Sequence, residues 1–445
     1  MYDGRHIIIT AILLLSIASA GGILTRYLKI PYASMLVIIG LFVGIFRIFP
    51  SLNITPYLIY YVFLPVIIFE GAVGIKMRPL ISNILPIGAL SLFGTIISAI
   101  FTGAVFHFVL NFPLKQSLIF GAIITPTDPI SILALLKNRI TKRSGVPPKT
   151  EKNGPGNKAE NPDEKEDIET LLTGESLFND GISLVLFEVF LGLNIHGAAL
   201  NPLYNMFYYI LGIIKVSAVQ FLYESIGGSI LGIALGYSVS LVLSLATDFL
   251  TEIMISLLLA YASLIAAYYL HMSFIMAIIF SGIVLANYGF KKKVSERTLE
   301  VFPVVIEYLT FIVNSILFLI IGIEINLFKI LDIWVISLFI VALSIFSRFI
   351  GVYLISPIVN IVKNRFKIFS DGLTINKQYK RFLVFGGLKG ALPIAMALSL
   401  PLSLPLRNEE TAFPYKPFTV LQVITKALPF KFKPEELKTA AVSLL

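Results

Sequence analysis

Apolar runs of about twenty residues recur along the whole chain and are separated by short polar stretches. A run of that length lets an α-helix cross the hydrocarbon core of a bilayer. The pattern predicts twelve membrane-spanning helices, which we number spans 1 to 12 in chain order. They lie near residues 6–25, 31–49, 56–75, 84–110, 116–136, 170–193, 217–243, 251–270, 272–289, 299–324, 332–361 and 380–400.

Composition agrees with an all-α polytopic membrane protein. Of 445 residues, 57% are hydrophobic and 14% are charged, whereas soluble domains carry about a quarter charged residues. The net charge of +9 does not indicate nucleic-acid binding, because the basic residues lie in short loops between spans. The absence of cysteine excludes disulfides and thiol chemistry.

The loop charges also predict an orientation. Most basic loop residues follow odd-numbered spans, so the positive-inside rule predicts that these loops are cytoplasmic and that the N-terminus is outside. We expect span 1 to be retained, although Ala18-Ser19-Ala20 resembles a signal-peptidase site.

Three segments do not follow the spanning pattern. Residues 138–169 are rich in proline, glycine and charge and predict a flexible cytoplasmic linker. Residues 203–215 are expected to lie along the membrane interface, with Lys215 reaching water. Residues 402–445 form a basic tail whose apolar run is interrupted. We expect this tail either to re-enter the membrane or to lack a final crossing.

Span 6, "TLLTGESLFNDGISLVLFEVFLGL", carries Glu175, Ser176, Asn179 and Asp180 on one broad face at about 100° per residue. Ionisable residues at this depth cost at least a few kcal/mol and indicate function. Their oxygen atoms suit a proton or a hard monovalent cation. The carboxylates are too few for a calcium cage, and span 6 holds no histidine or cysteine for a transition metal. Alternatively, Glu175 is a residue at the helix end whose side chain reaches cytoplasmic water. Asp180 lies deeper in the span.

Span 5 contains "TPTDP", in which Pro126 and Pro129 cannot both sit in an intact helix. Asp128 then resembles a cap that opens a second half-helix. The freed carbonyls, such as those of Thr125 or Thr127, can face a cation where the break lines a cavity. A simple proline kink capped by Asp128 is the alternative.

Span 12, "FGGLKGALPIAMALSL", also predicts an interrupted helix, because three glycines and Pro393 surround Lys389. Two interrupted helices in corresponding halves of a chain point to a transporter binding site. Lys389 is expected to neutralise the C-terminus of the facing half-helix. Arg348 in span 11 and Glu70 in span 3 are also deeply placed, and we expect them to pair with each other.

Together these motifs resemble the NhaP-type sodium/proton antiporters of the monovalent cation:proton antiporter family, which includes the animal exchangers. The stretch "KIPYASMLVIIGLFVG" is similar to the second helix of that family, and the resemblance covers residues 5–400. It implies a thirteen-helix fold with six-helix inverted repeats and crossed, broken helices 5 and 12. It also implies a homodimer surrounded by lipid in the cell membrane, with no cofactor and no enzymatic activity.

The resemblance further implies two structural units. Residues 1–83 and 201–331 would form a dimerisation side, residues 84–200 and 332–401 a mobile core, and residues 402–445 a divergent tail in place of helix 13. The implied Na⁺ ligands are Asp180, Glu175, Ser176 and the Thr127 main chain, with Asp128 acting through water. Glu70 and Arg348 match a structural ion pair, Lys389 stands where the family usually has arginine, and the Asn179–Asp180 pair is similar to that of electroneutral members.

The expected activity is exchange of Na⁺ or Li⁺ for H⁺ by competition at Asp180. Burial favours the protonated acid, whereas a bound cation favours the carboxylate. Three alternatives remain open from the sequence: K⁺/H⁺ antiport, a cation channel, and an intramembrane hydrolase that uses Asp128 and Asp180.

Overall fold

A computed structural model describes most of the chain, and its regular secondary structure there is helical throughout, as the apolar pattern predicted. The described residues are 4–28, 30–46, 58–128, 162–193, 204–292, 294–325, 334–365, 373–387 and 389–400. Pro129, most of the linker 138–169 and the tail 402–445 lie outside the described residues.

The helices follow the predicted spans in chain order. Spans 1 to 6 contain Gly4–Leu28, Tyr32–Ile45, Ile59–Val73, Ile84–Phe108, Leu114–Ile124 and Pro162–Gly192. Spans 7 to 11 contain Tyr204–Leu243, Phe249–Tyr269, Phe274–Gly289, Glu296–Glu324 and Trp334–Arg365. Span 12 contains two helices, Lys377–Phe385 and Ala391–Leu398. Two short helices, Met77–Ser82 and Phe290–Lys292, lie outside the spans.

Five helices in the described part of the chain are long and apolar enough to cross a membrane, judged by length and composition alone. They are Ile84–Phe108, Lys215–Leu243, Phe249–Tyr269, Glu296–Glu324 and Trp334–Arg365. The helix of span 6 has 31 residues, but its polar residues lower its hydropathy. Twelve crossings therefore stay a prediction.

Two helix boundaries differ from the sequence-based expectation. The helix of span 6 begins at Pro162, eight residues before the predicted start, because its first turns are charged and carry no apolar signal. Residues 204–215 are continuous with span 7 in one helix, Tyr204–Leu243, so the predicted interfacial segment is not a separate element. Lys215 is exposed.

Span 6 is the central helix of the fold. It packs against spans 4, 5, 7 and 9, and residues 174–187 are buried except for Asp180, which is half-buried. A π-helical turn, Leu90–Gly94, interrupts span 4 beside it. Such turns are frequent at functional sites, and this one places Thr95 against span 6.

Glycines bring other pairs of spans into backbone contact. A Cβ atom on Gly40 of span 2 would lie 2.2 Å from the carbonyl oxygen of Leu319 in span 10. A Cβ atom on Gly232 of span 7 would lie 2.3 Å from the carbonyl oxygen of Ala277 in span 9. Small residues of this kind let membrane helices approach closely, so spans 2 and 10, and spans 7 and 9, form two tight pairs.

Replacing Gly40 with alanine should lower the free energy of unfolding by roughly 1–3 kcal/mol, because the new methyl group meets main chain that cannot move aside cheaply. Thermal unfolding of the purified protein in detergent measures the loss. Gly88→Ala is the matched control, since a Cβ atom there meets nothing within 4 Å. Equal stability of the two variants would contradict the close contact of spans 2 and 10.

Candidate functional site

The helix of span 5 ends at Ile124, the N–H of Thr125 still donates to the carbonyl oxygen of Ala122 at 3.3 Å, and residues 126–128 are not helical. Pro126 contributes to this ending because it has no N–H to donate and restricts the preceding residue. Thr125 and Thr127 are buried, at 5% and 3% exposure. Their main-chain carbonyls therefore need partners from within the protein.

Asn179 of span 6 supplies the partner of the Thr125 carbonyl and also binds the Thr127 side chain. Its Nδ2 donates to the carbonyl oxygen of Thr125 (3.1 Å) and to Thr127 Oγ1 (3.0 Å). Its Oδ1 accepts from Thr95 Oγ1 (2.6 Å) and from Ser183 Oγ (3.1 Å). The fully buried amide thus uses all four of its hydrogen-bonding positions, and it joins spans 4, 5 and 6 at one point.

Lys389 supplies the positive charge at the break in span 5. It lies between the two helices of span 12, and its Nζ donates to the carbonyl oxygens of Ile124 and Pro126, the latter at 3.2 Å. A cation at the C-terminal end of a helix is stabilised by the partial negative charge of the last carbonyls. Span 12 therefore compensates the end of the helix in span 5.

The non-helical residues after the helix of span 5 lie against the interruption of span 12. A Cβ atom on Gly387 would lie 3.0 Å from Thr127 Cγ2, and one on Gly390 would lie 3.2 Å from Asp128 Cβ. A side chain at either position would therefore crowd the contact between the two segments, and the glycines allow their close approach.

Asp180 faces this crossing from span 6. Its Oδ1 accepts a hydrogen bond from the main-chain N–H of Thr127 at 3.3 Å. One turn earlier, Ser176 Oγ donates to the carbonyl oxygen of Thr127. Asp128, Glu175 and Lys389 are the charged groups close enough to act on Asp180 electrostatically. The structure thus brings together the predicted residues Asp180, Ser176, Thr127 and Asp128.

Arg348 pairs with Glu175, with Nη2 and Oε2 2.5 Å apart. The side chains are 12% and 3% exposed, and Arg348 Nε also donates to the carbonyl oxygen of Leu383 at 3.2 Å. The predicted pairing of Arg348 with Glu70 is therefore wrong, because the partner of Arg348 is Glu175. Span 11 packs against span 4, whereas the half-buried Glu70 belongs to span 3, which packs against spans 9 and 10.

A small cavity lies beside the non-helical residues of span 5 and Lys389 of span 12. Its lining residues are Thr95, Ser98, Ile124, Thr125, Ser344, Ser347, Arg348 and Lys389. The two positive side chains make this cavity unfavourable for a cation. Asp180, Ser176 and Thr127 are not among its lining residues.

Sequence reasoning missed the hydroxyl groups that hold Asn179. Ser183 follows Asn179 by one helical turn, so its spacing on span 6 was a usable signal. Thr95 carried no comparable signal, because the π-helical turn before it changes the register of span 4.

Replacing Arg348 with methionine should lower the free energy of unfolding by about 3–5 kcal/mol, because the buried carboxylate of Glu175 loses its counter-charge. The double variant Arg348→Met, Glu175→Gln should recover most of this loss, because it removes the buried charge as well. Unfolding in detergent measures both. Lys215→Met, which alters an exposed basic residue, should change stability by less than about 0.5 kcal/mol. Additive effects of the two site substitutions would contradict the pairing.

Comparisons with known proteins extend the similarity beyond the site. Residues 12–428 match the model of the family described as "Sodium/hydrogen exchanger, transmembrane". The chain is 29% identical over 413 residues to the Na⁺/H⁺ antiporter ApNhaP of Aphanothece halophytica, covering 92% of this chain and 70% of that protein. It is 30% identical over 349 residues to the Na⁺/H⁺ antiporter NhaP of Pseudomonas aeruginosa, covering 76% and 71%.

The fold also has a similar solved structure. It is that of the sodium proton antiporter MjNhaP1 from Methanocaldococcus jannaschii at pH 8, with a TM-score of 0.66 and 20% identity. The match covers 98% of this chain and 94% of that chain.

Proposed function

The chain belongs to the sodium/hydrogen exchanger family, and from this premise we propose that it is a secondary antiporter that exchanges Na⁺ or Li⁺ for H⁺ at Asp180. It is a transporter and not an enzyme. The observation that carries the proposal is the position of Asp180, half-buried against the broken segment of span 5 and beside unwound main chain. Irregular main chain at this depth is typical of coupling-ion sites in transporters.

The proposed Na⁺ ligands are oxygen atoms on one side of the break. Asp180 supplies a carboxylate, and Ser176 Oγ and the carbonyl oxygen of Thr127 lie together one turn away. Glu175 Oε1 is buried and has no hydrogen-bond partner, while its other oxygen holds Arg348. It can therefore turn towards the ion without breaking the ion pair, and Asp128 contributes through water.

Competition at a single carboxylate couples the two fluxes. Asp180 holds either one proton or one Na⁺, and both loaded forms carry the same net charge. One proton therefore crosses for each Na⁺, and the exchange is electroneutral. Asn179 supports this stoichiometry, because its amide keeps the neighbouring position uncharged.

The transport step is alternating access by two units of the fold. Residues 84–200 and 332–401 form the core, and residues 1–83 and 201–331 form the dimerisation side of a homodimer in the cell membrane. This division is supported by two sets of contacts. The polar bonds of the site join spans 4, 5, 6, 11 and 12. Tight glycine contacts join span 4 to span 5 within the same unit, and span 2 to span 10 and span 7 to span 9 within the other. Inverted repeats, an external N-terminus and a cytoplasmic 138–169 loop complete the proposed topology.

Replacing Asp180 with asparagine should abolish exchange, because an amide takes up neither a proton nor a cation at neutral pH. The measurement is Na⁺-dependent proton flux in proteoliposomes that carry a pre-set pH gradient. The control Asp248→Asn alters an exposed carboxylate that caps span 8. It should retain exchange, since asparagine also caps helices. Sodium-dependent proton flux that persists in the Asp180 variant would contradict the assignment.

The same proteoliposomes separate the alternatives. A channel would pass Na⁺ without moving protons, and a hydrolase would leave the pH gradient unchanged by a sodium pulse. Dissipation of the gradient by K⁺ as strongly as by Na⁺ would change the proposed substrate to potassium.

Competition and electroneutrality make a separate prediction. On the acid side, the apparent affinity for Na⁺ should fall by about tenfold per pH unit while the maximal rate stays constant, because protons and Na⁺ exclude each other at one group. A membrane potential clamped with valinomycin and K⁺ should leave the rate unchanged. A rate that responds to the potential would show that net charge moves in each cycle.

A further inference from the structure

Span 6 carries a second acidic residue that the exchange site does not use. Glu188 lies eight residues beyond Asp180, which is about 12 Å further along the helix. Its carboxyl group lies within hydrogen-bonding reach of the carboxyl group of Glu224 in span 7. Two acids are therefore in contact across the packing surface of spans 6 and 7.

The surroundings of this pair lack a positive charge. Glu224 is 7% exposed, and its Oε1 accepts a hydrogen bond from Gln220 Nε2 at 2.8 Å. Its Oε2 is buried without a hydrogen-bond partner. Glu188 is exposed, and in the described part of the chain neither acid has a salt-bridge partner. The titratable group that faces Glu188 from span 3 is Tyr60.

Two ionised carboxylates in contact repel each other, and a buried oxygen without a donor carries an uncompensated desolvation cost. One proton removes both problems, because it supplies the missing donor and lowers the charge of the pair from two to one. A Na⁺ ion would need further oxygen ligands, but the neighbouring amide of Gln220 directs its NH₂ group to Glu224. The chemistry of the pair therefore favours a proton.

We propose that Glu188 and Glu224 form a second proton-binding site, in which one shared proton joins span 6 to span 7. The site is separate from Asp180. Loss of the shared proton leaves like charges on both sides of the contact and weakens it. Span 6 belongs to the core of the proposed antiporter, and span 7 belongs to its dimerisation side. An effect of this site on transport therefore rests on the proposed function, whereas proton binding at the site does not.

Infrared difference spectra of the reconstituted protein between acid and alkaline pH test the shared proton directly. The wild type should show a carbonyl stretch of a protonated carboxyl group that disappears in Glu188→Gln and equally in Glu224→Gln. The double variant should lose no further band, because the two residues share one proton. Glu300→Gln, which changes an exposed acid on span 10, is the matched control and should leave the band unchanged.

Three results would overturn the proposal. The first is a carbonyl band that persists in Glu188→Gln or in Glu224→Gln, and the second is a pair of bands of which each variant removes a different one. The third is the absence of a carbonyl band together with carboxylate bands that respond to Na⁺ at constant pH. Because either single variant tests the same proton, misfolding of one leaves the other as the test. Asp180→Asn identifies any band that belongs to the exchange site.

Proton flux measured across a range of pH gives the link to transport. Glu188→Gln, which supplies a permanent donor to Glu224, should retain exchange and shift the pH of half-maximal rate by about one unit, a tenfold change in proton affinity. An unchanged pH profile in a variant that has lost the infrared band would refute the link to transport while leaving the proton site intact. Loss of exchange in Asp248→Asn as well would instead point to a general failure of reconstitution.

Discussion

Main-chain groups that lose their helical partners at membrane depth must find new partners inside the protein. The break in span 5 leaves such carbonyls, and other spans supply a donor to each. The carbonyls belong to Ile124, Thr125, Pro126 and Thr127. Their donors are Asn179 and Ser176 from span 6 and Lys389 from span 12. The arrangement of three spans around Asp180 therefore follows from the need to satisfy one unwound segment.

Charged groups of both signs meet around the non-helical segments. Among the described residues, Asp128, Glu175 and Asp180 lie near the positive side chains of Arg348 and Lys389. Under the proposed exchange, a single proton or a single Na⁺ binds at Asp180, so both loaded forms carry the same net charge through the low-dielectric interior.

The sequence was most informative where structure depends on local chemistry. Prolines and glycines predicted the end of the helix near Pro126 in span 5 and the interruption of span 12, and helical periodicity placed Asn179 and Asp180 on one face. It was least informative about partners, because these depend on which spans pack together. Arg348 contacts Glu175 since span 11 packs against span 4, and no local pattern encodes that choice. Thr95 was hidden for a related reason, since a π-helical turn displaces it from ordinary helical spacing.

All four hydrogen-bonding positions of the Asn179 amide are occupied, and this restricts which residues can replace it during evolution. An aspartate in its place would bring a carboxylate oxygen against the carbonyl oxygen of Thr125, where the amide now donates a hydrogen bond. Such an acid would have to keep its own proton or separate the unwound segment from span 6. The Nδ2 atom of Asn179 thus limits the number of ionisable groups in the pocket. Under the proposed exchange, a relative with aspartate at this position would also move a different number of charges in each turnover.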